Sequence, residues 1–280
     1  MKLKFIFIVF HLMLLIIVAA TITAMFLIVG KESVLSYWHI NMPVLITIAL
    51  FVAALDIFYA LNYRMISLLE REDWPALIEY LERNIGQKGR YSRTKVQLLL
   101  NTYLVLSDTE AVINFENKLS REKPELIEEN ALTFGSARIL NRNITGAVHF
   151  FSERCTATSI KTPSKRKLRE LEWIEWFYGF SLLLDRQFPQ AEEQFNRVIK
   201  DAHEPLVLGL AAFFMVDVLA AALPEHSSTL RLDAAATRTR IKTTVPTVSE
   251  WNKLFTKYQK HLYVVILTRY IHETASWLYG

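Results

Sequence analysis

Two long apolar runs open the chain. Residues 3–29 are almost unbroken hydrocarbon, interrupted only by Lys4, His11 and a few threonines; Met42 to Leu61 is a second such run with Asp56 as its only charge. Each reaches the roughly 20 residues that a helix needs to cross a bilayer core. Backbone polar groups in lipid must be satisfied within the segment, so the pattern predicts two spanning helices, about 3–29 and 42–61, paired as a hairpin. The polar stretch Lys31 to Asn41 reads as the connecting loop, with Tyr37 and Trp38 where interfacial aromatics sit. Lys2 and Lys4 precede the first run, Arg64 and Arg71 follow the second, and Lys31 is alone between them. The excess of basic residues outside the loop predicts that both termini are cytoplasmic. A cleaved signal peptide is the rival reading of the first run, but the run is long for one and lacks a convincing A-x-A site. His11 and Asp56 are costly in lipid and open two readings. Either they serve an ion or proton path, or Asp56 lies near the inner end of its helix and His11 in the outer turns of the other.

From Asn62 the sequence becomes charged while the helical spacing continues through Leu61, Met65, Leu68 and Leu69. The second span is therefore expected to run into the first helix of the next region. Asp73 and Pro75 then restart a helix as N-cap and first-turn residue, with Leu77, Tyr80 and Leu81 as its buried stripe. A small residue followed four positions later by an aromatic recurs as Ala76/Tyr80, Ala111/Phe115, Ala147/Phe151 and Ala191/Phe195, with starts 35, 36 and 44 residues apart. Gly135 and Gly179 stand twelve residues before the third and fourth alanines. Small residues at these places let two helices approach closely while the aromatic fills the space toward the next pair. Hairpins are expected at roughly Thr94 to Ser120, Pro124 to Arg154 and Leu168 to Lys200, after a first one built on Asp73.

A period near 34 residues with this signature resembles the tetratricopeptide-repeat family, over about Asn62 to Leu223. The fourth copy matches best: Gly179, Ala191 and Phe195 fall on the family's glycine, alanine and aromatic positions. Trp176 is one place late for its tryptophan, Leu182 replaces its tyrosine, and Pro205 lies two residues beyond its proline. The third copy keeps Gly135, Ala147 and Phe151, with Arg138 at the tyrosine position, while Arg64 and Leu99 hold the glycine place in the first two. The resemblance implies an all-α fold, a solenoid of about four hairpins whose concave face takes another protein or peptide. Asn101, Arg138, Asn141 and Trp173 are the candidate partner-binding residues on that face. A membrane hairpin followed by such repeats is also similar in layout to bacterial inner-membrane proteins associated with heme biosynthesis. That likeness is one of architecture and carries no function over; the expected location is a bacterial inner membrane.

The remaining segments complete four expected regions: a hairpin over 1–61, repeats over 62–223, a linker over 224–246 and a C-terminal helix over 247–280. The longer last interval is explained by an insertion, Thr156 to Lys167, with Lys161, Lys165, Arg166 and Lys167, expected as an exposed loop that could meet anionic lipid. Pro205 to Leu223 is nearly all apolar; Asp217 and Gly209 within it favour a buried helix over a third span. Pro224 to Pro246 is rich in Ser, Thr, Ala and Arg without an apolar stripe and reads as flexible. Val248 to Leu278 is expected as one long helix with Trp251, Phe255, Tyr258, Leu262 and Val265 on one side. It would cap the solenoid, contact a partner or a second copy, or lie on the membrane surface.

Composition changes this picture little. The net charge of +4 is mild and the basic residues are scattered, which argues against nucleic acid. Cys155 is the only cysteine, so no intrachain disulfide forms; beside Arg154 it is either an activated or an ordinary thiol. His272-Glu273 begins the zinc motif H-E-x-x-H, but Ser276 replaces its second histidine, and phosphate loops and nucleophile elbows are missing. The sequence thus predicts a non-enzymatic integral membrane protein without cofactor or metal, a scaffold or assembly factor for a partner protein. The alternative is a non-catalytic subunit of a membrane enzyme or transporter complex that packs through its two spans.

Overall fold

The computed structural model describes residues 2–29, 31–86, 91–156, 165–259 and 261–280. They are helical, and no strand occurs among the described residues. The chain divides into two compact units, Met1–Arg90 and Tyr91–Gly280.

The first unit holds α1 (Lys2–Val29), α2 (Lys31–Glu70) and α3 (Trp74–Gly86), with α2 packed on both neighbours. The polar stretch expected as a loop is instead the start of α2, which continues through Pro43 and past residue 61 without a break. Pro43 removes one intrahelical donor, but the apolar residues that follow propagate the helix. By length and composition two stretches suffice to cross a membrane, Met42–Glu70, none of it buried, and Pro205–Ala222, 67% of it buried; Phe5–Thr21 is a shorter apolar stretch in α1. In the hairpin, His11 Nε2 on α1 lies 2.9 Å from Asp56 Oδ1 on α2, and Phe7 stacks on Tyr59 at 4.3 Å. The two polar residues singled out from sequence are thus partners of each other.

The second unit is built from hairpins. α4 (Arg93–Val105) pairs with α5 (Thr109–Glu122); after the short α6 (Glu125–Glu129), α7 (Ala131–Leu140) pairs with α8 (Ile144–Thr156), and α9 (Lys165–Leu184) with α10 (Phe188–Asp201). Each second helix also packs on the next first helix: α5 on α7, α8 on α9, and α10 on α11 (Pro205–Phe214). First helices touch as well, α4 with α7, α7 with α9, and α9 with α11. Leu206 to Met215 are all buried, so the apolar run after Pro205 serves as a core helix of this unit. It continues through a π-helical turn, Met215–Leu219, into the short α12 (Ala220–Ala222).

The stretch expected as a flexible linker is α13 (Ser227–Thr244), packed on α11. Leu230, Ala234, Thr237 and Ile241 bury one face at spacings of four, three and four. Small and hydroxyl residues on that face obscured the stripe, since Ala and Thr carry little hydrophobic signal. The expected single C-terminal helix is three: α14 (Val248–Tyr258), α15 (Leu262–Val265) and α16 (Thr268–Tyr279). Of the insertion before α9, residues 157–164 lie outside the described residues.

One turn is used four times. Glu72, Ser107, Arg142 and Arg186 sit in the left-handed region at φ 54° to 60°, and they recur at intervals of 35, 35 and 44 residues. Around each, two backbone bonds close the preceding helix in a Schellman arrangement, for example Asn143 N to Arg138 O at 2.9 Å and Arg142 N to Ile139 O at 3.0 Å. The following residue caps the next helix in three cases: Asp73, Asp108 and Asn143 accept from the backbone N–H of Ala76, Ala111 and Gly146.

These turns correct the repeat register. Counted from the left-handed residue, buried Ala147 and Ala191 correspond to Leu77 and Val112, not to Ala76 and Ala111, which are half-buried. Phe151 and Phe195 likewise correspond to Leu81 and Glu116 rather than to Tyr80 and Phe115, and Gly135 and Gly179 to Met65 and Leu100. The third and fourth alanines stand one place farther from their turns than the first two, which spacing alone does not reveal.

Candidate functional site

The glycine positions show why the hairpins close. A Cβ on Gly135 would overlap the Phe151 ring, and one on Gly179 would lie 2.9 Å from Phe195 Cε1. Both rings are fully buried. Neighbouring turns are also tied in series: Thr109 Oγ1 donates to Asn141 Oδ1 at 3.1 Å, and Thr145 Oγ1 to Asp185 Oδ1 at 3.4 Å. The first helices α4, α7 and α9 pack in sequence, and residues of all three line a shared recess.

Two recesses, of about 350 and 450 Å3, make up this groove. The first is bounded by Arg93 and Gln97 of α4, residues 128–133, and Glu170, Leu171 and Ile174 of α9; the second by Arg169, Glu170 and Trp173 of α9 with Lys257 and Tyr258. Gln97, Glu170, His261 and Tyr263 border both. Charges of both signs line the rim, where Arg93 meets Glu129 at 3.5 Å and Arg154 meets Glu128 at 2.7 Å. The rim is therefore polar without a dominant sign, while aromatic side chains, Trp173, Tyr258 and Tyr263, gather at the second recess.

Beneath the second recess lies a polar knot. Glu172 is buried on α9, and its carboxylate accepts the backbone N–H groups of His203 and Glu204 at 3.1 and 3.0 Å. It thereby satisfies donors at the start of α11, where Pro205 has none to offer. Glu204 accepts from the Tyr258 hydroxyl, which in turn accepts from Arg169 Nη1 at 3.4 Å. Burial raises the Glu204 carboxyl above the usual range; the Tyr258 hydrogen bond opposes this and nearby Glu172 adds to it. Burial likewise pushes the Tyr258 phenol up to about 12.

The four residues expected to meet a partner fare differently. Asn101 is half-buried on α4. Arg138 pairs with Glu116 at 2.7 Å, and its guanidinium lies over the Phe150 ring at 4.3 Å. Asn141 is exposed but belongs to the turn ladder. Trp173 is on the groove side, yet it is only 1% exposed because Tyr258 and Tyr263 of this same chain cover it. Gln97, Glu170 and Tyr263 were not identified from the sequence. For Gln97 and Glu170 the signal is position on the groove-lining turns, which requires the corrected register; Tyr263, in the C-terminal segment, has no such signal.

The surroundings of Cys155 work against an activated thiol. Burial, with help from Glu175, pushes it up to about 12, and Arg197 opposes this only in part. The neighbouring Arg154 side chain is engaged by Phe150 and Glu128.

Residues 111–280 match a family model described as Uncharacterised Treponema protein. A protein of Treponema pallidum (strain Nichols), described as an uncharacterized protein, is similar over its length: 25% identity over 289 residues, covering 100% of this chain and 88% of the relative. No solved structure matches the chain. With more than half of its 280 residues inside the family model, the chain belongs to the family of the Uncharacterised Treponema protein.

Proposed function

We propose that the chain is a membrane-anchored scaffold whose helical hairpins form a tetratricopeptide-like solenoid and present a groove to a partner protein. The observation that carries the reading is the repeated hairpin joint. Glycine meets a buried aromatic ring in two successive hairpins, threonine-to-turn hydrogen bonds tie each hairpin to the next, and the first helices pack in sequence. Such a row gives an extended surface suited to polypeptides rather than an enclosed site suited to chemistry. In this reading α1 and α2 anchor the chain in an inner membrane, and the basic flanks place both ends in the cytoplasm. The anchor raises the effective concentration of whatever the groove holds near the membrane.

A second reading rests on the His11–Asp56 pair. Its side chains are 31% and 46% exposed on the hairpin surface. A polar edge of that kind favours burial against another membrane subunit. Truncation separates the two. Capture of the same cytosolic partner by the chain from Arg64 onward supports the scaffold; capture that requires the spans supports the complex subunit.

A further inference from the structure

The groove already has an occupant. α16 packs on α11, and α14 packs on α16, as expected of a cap on the last hairpin. α15 instead reaches back past α9 and α10 to α7. A cap needs only the terminal repeat, so this crossing calls for another account. It is held by two tyrosines. The Tyr258 hydroxyl bonds to Glu204 and Arg169, and the Tyr263 ring packs edge-on against Trp173 at 5.5 Å and near Phe177 at 6.2 Å, with His261 stacked behind it at 5.3 Å.

The fit is incomplete. Open recesses of about 350 and 450 Å3 remain beside Tyr263, Val265 is 41% exposed, and the Trp173 indole N–H has no hydrogen-bond acceptor among the described residues. Buried donors are nearly always paired in settled cores. α15 itself is only four residues long, between α14 and α16.

We propose that Tyr258 and residues 261–265 are a resident ligand of the groove. The partner on the scaffold reading is then a peptide segment presenting two aromatic side chains at the separation of Tyr258 and Tyr263, which competes with this segment for the Trp173 floor. The inference rests on the scaffold reading and adds the chemistry of what is bound.

The test uses the full chain in detergent micelles and a fluorescein-labelled peptide of residues 255–267, followed by anisotropy. Tyr263→Ala is expected to bind the peptide at least tenfold more tightly than the wild-type chain, because the resident ring no longer competes. Tyr263→Phe should match the wild type, and a peptide with alanine in place of its second tyrosine should not bind. Equal binding by wild type and Tyr263→Ala, including none by either, overturns the proposal. If Tyr263→Ala loses its helical circular dichroism, Tyr258→Phe replaces it; this removes only a hydroxyl, and the same two outcomes apply. A partner that copurifies equally with wild type and variant, and that the peptide does not displace, overturns this inference while leaving the scaffold reading intact.

Discussion

The ring of Phe151 rests against the Cα of Gly135 so closely that no side chain fits between them. Gly135→Ala is expected to destabilise the chain by about 2–3 kcal/mol, the upper part of the range for overpacked cores. Gly179→Ala, whose Cβ would have 2.9 Å to Phe195, should cost about 1 kcal/mol. Adding Phe151→Leu to Gly135→Ala should recover part of the loss, because the two residues share one space. Denaturant unfolding in detergent, followed by circular dichroism, measures all three.

Glu116 occupies the turn-relative position of Leu81, Phe151 and Phe195, and Arg138 that of Leu182. The ion pair stands where other hairpins use hydrocarbon. Arg138→Leu alone leaves a buried carboxylate unpaired and is expected to cost about 3 kcal/mol. The double change Glu116→Leu with Arg138→Leu should be neutral or stabilising by about 1 kcal/mol, since a packed apolar pair avoids the desolvation of both ions. The same unfolding curves decide it, and a double variant as weak as the single one would contradict the assignment.

How far this was legible follows from particular residues. The hairpins were readable because helix spacing and the Gly–Ala–Phe signature are local. Their register was not, because the four turns are marked by left-handed Glu72, Ser107, Arg142 and Arg186, residue types that do not announce such a conformation. α13 was hidden because its buried face is Leu, Ala, Thr and Ile rather than a bold stripe. No Gly or Pro announces the end of α14 or the start of α15, and the tertiary contacts of Tyr258 and Tyr263 that flank them are encoded by no local pattern. His11 and Asp56 were each visible as misfits in apolar sequence, but that they meet depends on the hairpin's alignment.

Glu204 should give the chain a pH signature. Its carboxyl is raised by burial, so above the ordinary glutamate value of 4.5 the unfolded state releases the proton first. The native state then holds more protons, and stability contributed by this group is lost as pH rises from there through the raised value. Glu204→Gln keeps an acceptor for Tyr258 without a charge. Its melting temperature should equal that of wild type near pH 4 and exceed it increasingly toward pH 7. Parallel profiles for the two chains would contradict burial as the cause.

Cys155, pushed up to about 12, should react slowly with a thiol reagent at pH 8. We expect at least a tenfold lower rate than in the denatured chain. Comparable rates would mean that the thiol is solvated.

The central claim is that the row of first helices receives a partner. Its most direct measurement is site-specific photo-crosslinking in intact membranes, with the probe at Gln97 on the groove and, as a control, at exposed Arg121 on α5. The account predicts one discrete polypeptide adduct from Gln97 and none from Arg121, identified by mass spectrometry. Adducts of the same pattern from both positions, or none from Gln97, would contradict it.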